Sequence, residues 1–333
     1  MSTKGFKANY FKNVQLLEKI IDCRKSKFRN MSIMRRLSTL SLMIYLWPIK
    51  KLFAGDNKFL SALSKDAVNV ANFLTEEQKN YYAALQNLFH IYAHGDLNLI
   101  RVGAKHDGGY IMLDDFAPAK EVSNLRGGVV SNIAYSFGIS DDVSWDQCMA
   151  ERGYAVFMYD HTIEKLPYEN SAFHWFKKGI ADIDKPNENL YSLATLIKDN
   201  GHENNKGMIL KMDVEGAEYD FLKTVTPEIL KQFDQIVFEL HSVNNTEYFK
   251  RILSSLEKLN QTHQLIHLHP CGGSFINING KFFSNQIECT YVLKSKYNFD
   301  YDYNVKLPLD VDSPNAQSVF DPDLGYWNRD VKI

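Results

Sequence analysis

Three acidic side chains fall within six residues of one segment, which runs from Lys211 to Glu218 and has the sequence KMDVEGAE. The apolar run 208–210 precedes it, so Asp213 comes directly off what should be a buried strand. A carboxylate in that position can stabilise a bound cation or accept a proton, and we expect Asp213 to act in an active site. Glu215 is a candidate general base, whereas Glu218 is expected only to favour the positive end of the following helix.

Small or titratable residues also follow the other short apolar runs that we predict to be strands. The strand-end residues are Gly138, Asp160, Asp182, Asp213 and His241. In an open α/β sheet, ligands bind just outside the carboxyl ends of the strands, so these residues are expected to surround one ligand. Histidine has an intrinsic pKa near neutral pH, so His241 is an alternative base; the other interpretation is a satisfied histidine at a strand end.

Spacing and charge indicate the kind of ligand. Asp160 follows Gly138 by about 20 residues, the spacing at which an acid accepts hydrogen bonds from the hydroxyls of a ribose; the alternative is a solvated turn aspartate. Asp182 is expected either near an adenine edge or as a cap of the next turn. The loop after Gly138 lacks the glycine pattern of dinucleotide folds, and its Asp141 and Asp142 would repel a pyrophosphate. S-adenosylmethionine, whose sulfonium is cationic, therefore fits better than NAD.

These residues need a parallel sheet with crossover helices to position them. The predicted strands are 133–137, 155–159, 174–181, 208–212 and 235–239, and the predicted helices are 144–153, 190–198, one starting at Pro227, and 246–259. The first helix should start with a capping box at Ser144 and stop at Gly153. Runs 263–269 and 287–294, joined by a glycine-rich stretch, predict an antiparallel ribbon. The expected fold class is α/β, a doubly wound Rossmann-like sheet with a terminal antiparallel β-ribbon.

Two histidines on the predicted ribbon raise the question of a metal. His267 and His269 alternate on one face of their strand, and with Asp213, Glu239 or His241 nearby they are candidates to bind a divalent cation. Because their spacing is not diagnostic of a metal site, none is predicted.

The segment from Lys211 to Glu218 resembles the K-[IM]-D-[VI]-E-G-A-E signature of the FkbM family of S-adenosylmethionine-dependent methyltransferases. A narrower resemblance, to a branch with S-F-G-[IV] in place of the usual glycine-rich motif, rests on residues 107–110, 135–139, 144–146, 159–160 and 179–180. Together the matches extend over roughly residues 98–294. The resemblance implies a class I methyltransferase fold, S-adenosylmethionine as cofactor, and methylation of a hydroxyl, commonly on a sugar or secondary metabolite.

Strand ends and resemblance together give a set of site residues. The predicted cofactor-binding residues are Ser136, Phe137, Gly138, Ile139, Asp160, His161, Ile180, Asp182 and Asp213. By the resemblance, Asp107 and Tyr110 would close over the site from the preceding loop. Methyl transfer to a hydroxyl of a small-molecule or glycan acceptor needs alignment and a base, for which Asp213, Glu215 and His241 are the candidates.

Composition indicates a large α/β protein with a basic N-terminal arm. The 333 residues are 45% hydrophobic, and the four cysteines are widely spaced, as in a reducing compartment. Residues 1–51 carry twelve Lys or Arg against Glu18 and Asp22, although the chain has a formal net charge of -2. The apolar run 37–49 is shorter than the roughly 20 residues of a spanning helix. It predicts either an interfacial helix, with residues 24–51 on an anionic membrane, or a helix packed on the main domain.

We therefore predict a basic helical extension over residues 1–90, a methyltransferase domain over 91–297 and an irregular tail over 298–333. The protein is expected to be cytoplasmic, with membrane association as an option and no signal peptide. Two other functions stay open, a catalytically silent module that docks on a membrane or nucleic acid and a nicotinamide-dependent oxidoreductase. Nucleic acid is the poorer partner, because the arm lacks interleaved aromatic residues and the rest of the chain is acidic.

Overall fold

The computed structural model of the chain describes residues 69–117, 132–315 and 323–328, without the side chains of 272–274. The basic arm and the membrane contact predicted for residues 24–51 lie outside these ranges and stay predictions. Within the ranges, no helix combines the length and the apolar character needed to cross a membrane.

The described residues contain six α-helices and thirteen strands. The helices are α1 (Glu76–Leu88), α2 (Ser144–Glu151), α3 (Leu193–Asp199), α4 (Glu218–Thr224), α5 (Pro227–Leu230) and α6 (Phe249–Thr262). The strands are β1 (Leu99–Val102), β2 (Tyr110–Leu113), β3 (Ile133–Phe137), β4 (Ala155–Tyr159), β5 (Phe173–Phe176), β6 (Gly179–Ile180), β7 (Leu190–Tyr191), β8 (Met208–Met212), β9 (Phe233–Leu240), β10 (His263–Ile278), β11 (Lys281–Leu293), β12 (Lys306–Leu307) and β13 (Gly325–Tyr326).

Seven strands form a central sheet in the order β10-β11-β9-β8-β3-β4-β5. The five strands from β9 to β5 run parallel, while β11 is antiparallel to both β9 and β10. The chain builds outward from β3 to β5 and then returns to the other side of β3 with β8 and β9. This reversal places the carboxyl ends of β3 and β8 side by side, where ligands bind in such sheets. The predicted doubly wound fold with a terminal antiparallel ribbon is confirmed.

Both faces of the central sheet are covered, which explains why its middle strands are apolar throughout. Every residue of β3 and β8 is buried. On one face the rings of Phe137 and Tyr159 stack with their centroids 4.9 Å apart, and Tyr135 continues the stack. On the other face, Trp145 of α2 donates from its indole nitrogen to the sulfur of Met112, 3.3 Å away. Packing on both faces fixes the strand ends that form the site.

The antiparallel ribbon of β10 and β11 is confirmed and is longer than predicted. Its tip is the pair Asn279-Gly280, which have φ angles of 51° and 92°. Two consecutive positive φ angles characterise the type I′ hairpin turn, for which Asn-Gly is a preferred sequence.

The third predicted strand, 174–181, is wrong as a single strand of the main sheet. The amide of Lys178 donates to the carbonyl of Phe176 at 2.7 Å, which turns the chain away after β5. The next two residues form β6 and pair with β7, so the helix predicted from residue 190 begins only at Leu193. Asp182 therefore follows a small separate sheet, where its carboxylate accepts from the ammonium of Lys223 at 3.4 Å.

The capping box predicted at Ser144 is also wrong. Ser144 is the first residue of α2, and the N-cap residue Val143 offers no side-chain cap. The Ser144 hydroxyl accepts from the amide of Ala104 at 2.8 Å and donates to the carbonyl of Gly108 at 3.2 Å. Asp142 accepts from the Ser144 amide at 2.6 Å in the role predicted for the serine. Ser144 thus fastens the loop that contains Ala104 and Gly108 to the start of α2.

A buried histidine at the start of β10 makes stability depend on pH. His263 is fully buried, with Nε2 2.9 Å from the carbonyl of Phe233 and Nδ1 2.8 Å from the hydroxyl of Thr262. Burial lowers its pKa from 6.5 to about 4. The unfolded chain therefore binds more protons in this range, so this stability is complete above about pH 6.5 and is lost as the pH falls towards 4.

We expect His263 to reduce the free energy of unfolding by about 2 kcal/mol between about pH 7.5 and pH 5. His263→Gln keeps a hydrogen-bond donor but cannot titrate, so the variant should lose that much less over the same interval. Urea unfolding of both proteins at the two pH values measures the difference. Equal losses in the two proteins would mean that His263 does not contribute.

Candidate active site

A cavity of about 480 Å³ lies at the carboxyl ends of β3, β4 and β8. Its volume is typical of sites for small molecules and cofactors. Seven of the predicted cofactor-binding residues line it, namely Phe137, Gly138, Ile139, Asp160, His161, Ile180 and Asp213. Ser136, which is buried within β3, and Asp182, which follows β6, are not part of the lining.

The backbone at Gly138 joins the two central strand ends. Gly138 has a φ of 78°, and a Cβ atom there would lie 1.6 Å from the carbonyl oxygen of Asp213. The Gly138 amide donates to the carbonyl of Tyr159 at 3.1 Å, and the Asp213 amide donates to the carbonyl of Phe137 at 3.0 Å. The Lys211 ammonium donates to the Gly138 carbonyl at 2.7 Å. The glycine is therefore required for a close approach of backbone to backbone, and the buried lysine of the KMDVEGAE segment holds the same turn.

Asp160 is bound to the loop that follows Gly138. One carboxylate oxygen accepts from the amides of Ile139 at 2.9 Å and Ser140 at 3.0 Å, and the other accepts from the amide and hydroxyl of Thr162. Burial alone would raise the pKa of Asp160, but these hydrogen bonds lower it below its usual value. Since both oxygens already accept two hydrogen bonds, Asp160 shapes the loop here, and its predicted bond to a ribose stays a prediction.

The cavity wall is strongly acidic. Its acidic residues are Asp107, Asp141, Asp142, Asp160, Asp213, Glu215 and Glu239. Among the described residues that line the cavity, Lys211 alone is a lysine or arginine, and its ammonium is bonded to the Gly138 carbonyl. Such a wall favours cations and hydrogen-bond donors such as hydroxyls, and it repels phosphates.

The three predicted catalytic residues lie close together; Asp213 and Glu215 line the cavity, whereas His241 is not part of the lining. His241 Nε2 is 3.9 Å from a carboxylate oxygen of Asp213 and 3.4 Å from one of Glu215. The buried Glu239, the second-last residue of β9, lies 3.7 Å from the same nitrogen. The Tyr110 hydroxyl donates to the second oxygen of Asp213 at 3.1 Å. Tyr110, which was predicted to close over the site, thus orients the Asp213 carboxylate and is not part of the cavity lining.

Glu218 is a functional residue that the sequence analysis missed. It is fully buried, and its carboxylate lies 2.7 Å from Nδ1 of His241, so the expected role as a surface helix-start acid is wrong. Tyr219 donates to the carbonyl of His241 at 2.6 Å and fixes the backbone of the same residue. The available signal was periodicity, because Glu218, Phe221 and Leu222 occupy one buried face of α4.

Converging charges shift the titration of this cluster. Burial raises the pKa of Glu239 well above its usual range, and the charge of Asp213 raises it further. Burial would lower the pKa of His241, but the hydrogen bond and charge of Glu218, together with Glu239 and Asp213, raise it to about 9. The acids around His241 thus favour its protonated form.

The C-terminal segment contributes Asn315 to the cavity lining. The amide of Asp107 donates to the carbonyl of Asn315 at 3.0 Å. The amide of His106 donates to the Ser313 hydroxyl at 3.1 Å, and its Nδ1 lies 2.7 Å from the Pro314 carbonyl. Asp107 and Asn315 both line the cavity, so residues predicted to be an irregular tail contribute directly to it.

Comparison with known proteins identifies the domain. A family model described as the methyltransferase FkbM domain matches residues 93–262, about half of the chain. No curated protein matches. A solved structure described as a "putative hemolysin" from Streptococcus thermophilus aligns with 13% identity over 56% of this chain and 71% of its own, with a TM-score of 0.30.

Proposed function

This chain belongs to the FkbM methyltransferase family, and from that premise we propose that it methylates a hydroxyl group of a sugar or another polyhydroxylated metabolite. As a member of that family it is an S-adenosylmethionine-dependent methyltransferase. The identity of the acceptor, and the choice of oxygen as the methylated atom, are the parts that we propose.

The residues of the cavity fit the cofactor. When bound, S-adenosylmethionine supplies an electrophilic methyl group on a cationic sulfur. The acidic wall suits that charge, and Gly138 exposes backbone where a side chain would fill the turn. Asp160 holds the amides of Ile139 and Ser140 in place, which keeps the loop in one conformation for a ligand.

Asp213 is the observation that carries the proposal. Its carboxylate lines the cavity, is 21% exposed and is held by the Tyr110 hydroxyl, so it can accept a proton from an acceptor hydroxyl placed next to it. The adjacent Glu215 and Asp107 can accept hydrogen bonds from further hydroxyls of the same molecule. Carboxylates recognise a polyol through such bonds, and each fixed hydroxyl helps to align the reacting oxygen.

Methyl transfer to a panel of acceptors tests this function. The full chain is incubated with labelled S-adenosylmethionine and free sugars, glycosides, phenols and amines, and the methylated atom is located by NMR. We expect an O-methyl product from a polyhydroxylated acceptor. Transfer only to nitrogen or carbon, by a protein that binds S-adenosylhomocysteine normally, would contradict the proposal.

Asp160→Asn should weaken binding of S-adenosylhomocysteine by at least about tenfold, because an amide cannot accept all four hydrogen bonds that hold the loop. Titration calorimetry measures the affinity. Asp182→Asn is the matched control, since Asp182 lies outside the cavity lining, and its affinity should stay within about twofold of the parent. An unchanged affinity in a folded Asp160→Asn protein would rule out this role.

A further inference from the structure

We propose that Asp213, Glu239 and His241 form a binding site for one divalent cation of the Mg²⁺ or Mn²⁺ class. They come from the ends of two adjacent strands, β8 and β9, and each offers a ligand atom of a type that binds such ions. Two carboxylate oxygens and one imidazole nitrogen favour Mn²⁺ within this class, because imidazole suits transition metals better than Mg²⁺.

The three ligand atoms are spaced as the ligands of one ion. They all lie within 4.8 Å of one another, with His241 Nε2 3.7 Å from Glu239 and 3.9 Å from Asp213. Around an ion with bonds of about 2.1 Å, octahedral ligands are separated by about 3.0 Å when adjacent and about 4.2 Å when opposite. The two separations from His241 fall between these limits, so small side-chain adjustments bring all three atoms onto one ion.

The imidazole of His241 points to a ligand independently of the acids. Residue His241 is 5% exposed, and its Nε2 has no hydrogen-bond partner among the described residues. The same nitrogen lies within 4 Å of carboxylate oxygens of Asp213, Glu215 and Glu239. Nδ1 is 2.7 Å from the buried Glu218, which fixes the orientation of the ring. A carboxylate on the far nitrogen is the usual support of a metal-binding histidine. Without a cation, a buried polar nitrogen is left unsatisfied, which is costly.

Three protein ligands leave part of the coordination shell open, as in catalytic rather than structural metal sites. Asp213 borders the cavity, so the open positions would face it. There the ion can bind an acceptor hydroxyl and lower its pKa. This catalytic role rests on the proposed function, whereas the binding site itself does not.

The two predicted ribbon histidines are not part of this site. His267 Nε2 lies 3.0 Å from Asp312, and His269 Nδ1 lies 2.9 Å from Glu288. The histidine beside Asp213 is therefore His241, directly after β9. The third ligand is Glu239 and not a histidine of the ribbon.

Binding of Mn²⁺ alone to the full chain, after treatment with a chelator, tests the proposal. Electron paramagnetic resonance and calorimetry should show one site per chain. Glu239→Gln should weaken Mn²⁺ binding by at least about 100-fold, and Glu218→Gln should weaken it by about 10- to 100-fold through loss of the support for His241. Asp213→Asn, at a partly exposed position, replaces Glu239→Gln if that variant does not fold.

Glu288→Gln is the control, because Glu288 is a buried acid opposite Glu239 in the pairing of β11 with β9 but is paired with His269. Its Mn²⁺ affinity should stay within about threefold of the parent. Failure of the parent to bind Mn²⁺ at millimolar concentration, or equal weakening in Glu288→Gln, overturns the site. Because Mn²⁺ binding needs no acceptor, failure of the metal site and failure of hydroxyl methylation are read separately.

Discussion

Gly138→Ala is expected to weaken S-adenosylhomocysteine binding by at least about 100-fold and to lower the free energy of unfolding by about 3 kcal/mol. The new Cβ atom would lie 1.6 Å from the backbone carbonyl of Asp213, which cannot swing aside as a side chain could. The clash forces apart the ends of β3 and β8. A hydrogen bond from the Asp213 amide to the Phe137 carbonyl joins these ends beside the cavity. Binding and stability should therefore fall together.

Gly201→Ala separates the clash from the backbone strain. Gly201 has a φ of 73°, close to the 78° of Gly138, but a Cβ atom there meets nothing within 4 Å. Its cost should be limited to the left-handed conformation, about 1–2 kcal/mol, with cofactor affinity unchanged. Calorimetry and urea unfolding of both variants give the comparison. Similar affinities in the two alanine variants would show that the close approach at Gly138 does not shape the site.

The position of Asp213 could be predicted because it depends on local sequence and on one topological rule. An apolar run long enough for a strand is followed directly by the acid, and parallel sheets bind ligands at that end. The same reasoning located Gly138 and Asp160, and the structure places all three on one cavity. Alternation of strands with helices was also enough to predict the doubly wound fold class.

The role of Glu218 could not be read from the same segment, because it depends on a contact with a residue that follows it by 23 positions. Acidic residues are common at helix starts for electrostatic reasons, and this made the surface interpretation attractive. Only the turn between β8 and α4 brings the Glu218 carboxylate next to Nδ1 of His241. Likewise, Glu239 and Asp213 were considered for a cation but were combined with the ribbon histidines, because spacing alone does not show that His241, directly after β9, is the nearer imidazole.

The failure at residues 174–181 has a different cause. Two lysines and a glycine follow β5, and the short apolar pair Ile180-Ala181 after them extended the predicted strand past its end. The chain turns at Lys178 because β6 pairs with β7 instead of extending β5. This pairing joins residues about ten positions apart, so it cannot be read from the pattern of the strand itself. Because β6 belongs to a separate small sheet, Asp182 is not among the strand-end residues that line the cavity.

Asp213→Asn should lower kcat for methyl transfer by about 100- to 10,000-fold, because the amide cannot accept the acceptor's proton. Binding of S-adenosylhomocysteine should change by less than about threefold, since its sulfur is uncharged. Binding of S-adenosylmethionine should weaken more, because the variant loses a negative charge at the cavity wall. Asp220→Asn, which removes a charge from α4 outside the cavity lining, should leave all three values unchanged.

Recovery experiments then separate the two roles that this carboxylate can have. If Asp213 acts mainly as the base, hydroxide can replace it, and the activity of Asp213→Asn should rise about tenfold for each unit of pH. If it acts mainly as a metal ligand, excess Mn²⁺ should restore activity at constant pH, because the asparagine oxygen still coordinates weakly. Tyr110→Phe, which removes the hydroxyl held 3.1 Å from Asp213, should show a smaller loss of the same kind. A kcat within about threefold of the parent for Asp213→Asn would remove this residue from the chemistry and leave Glu215 as the remaining exposed acid beside His241.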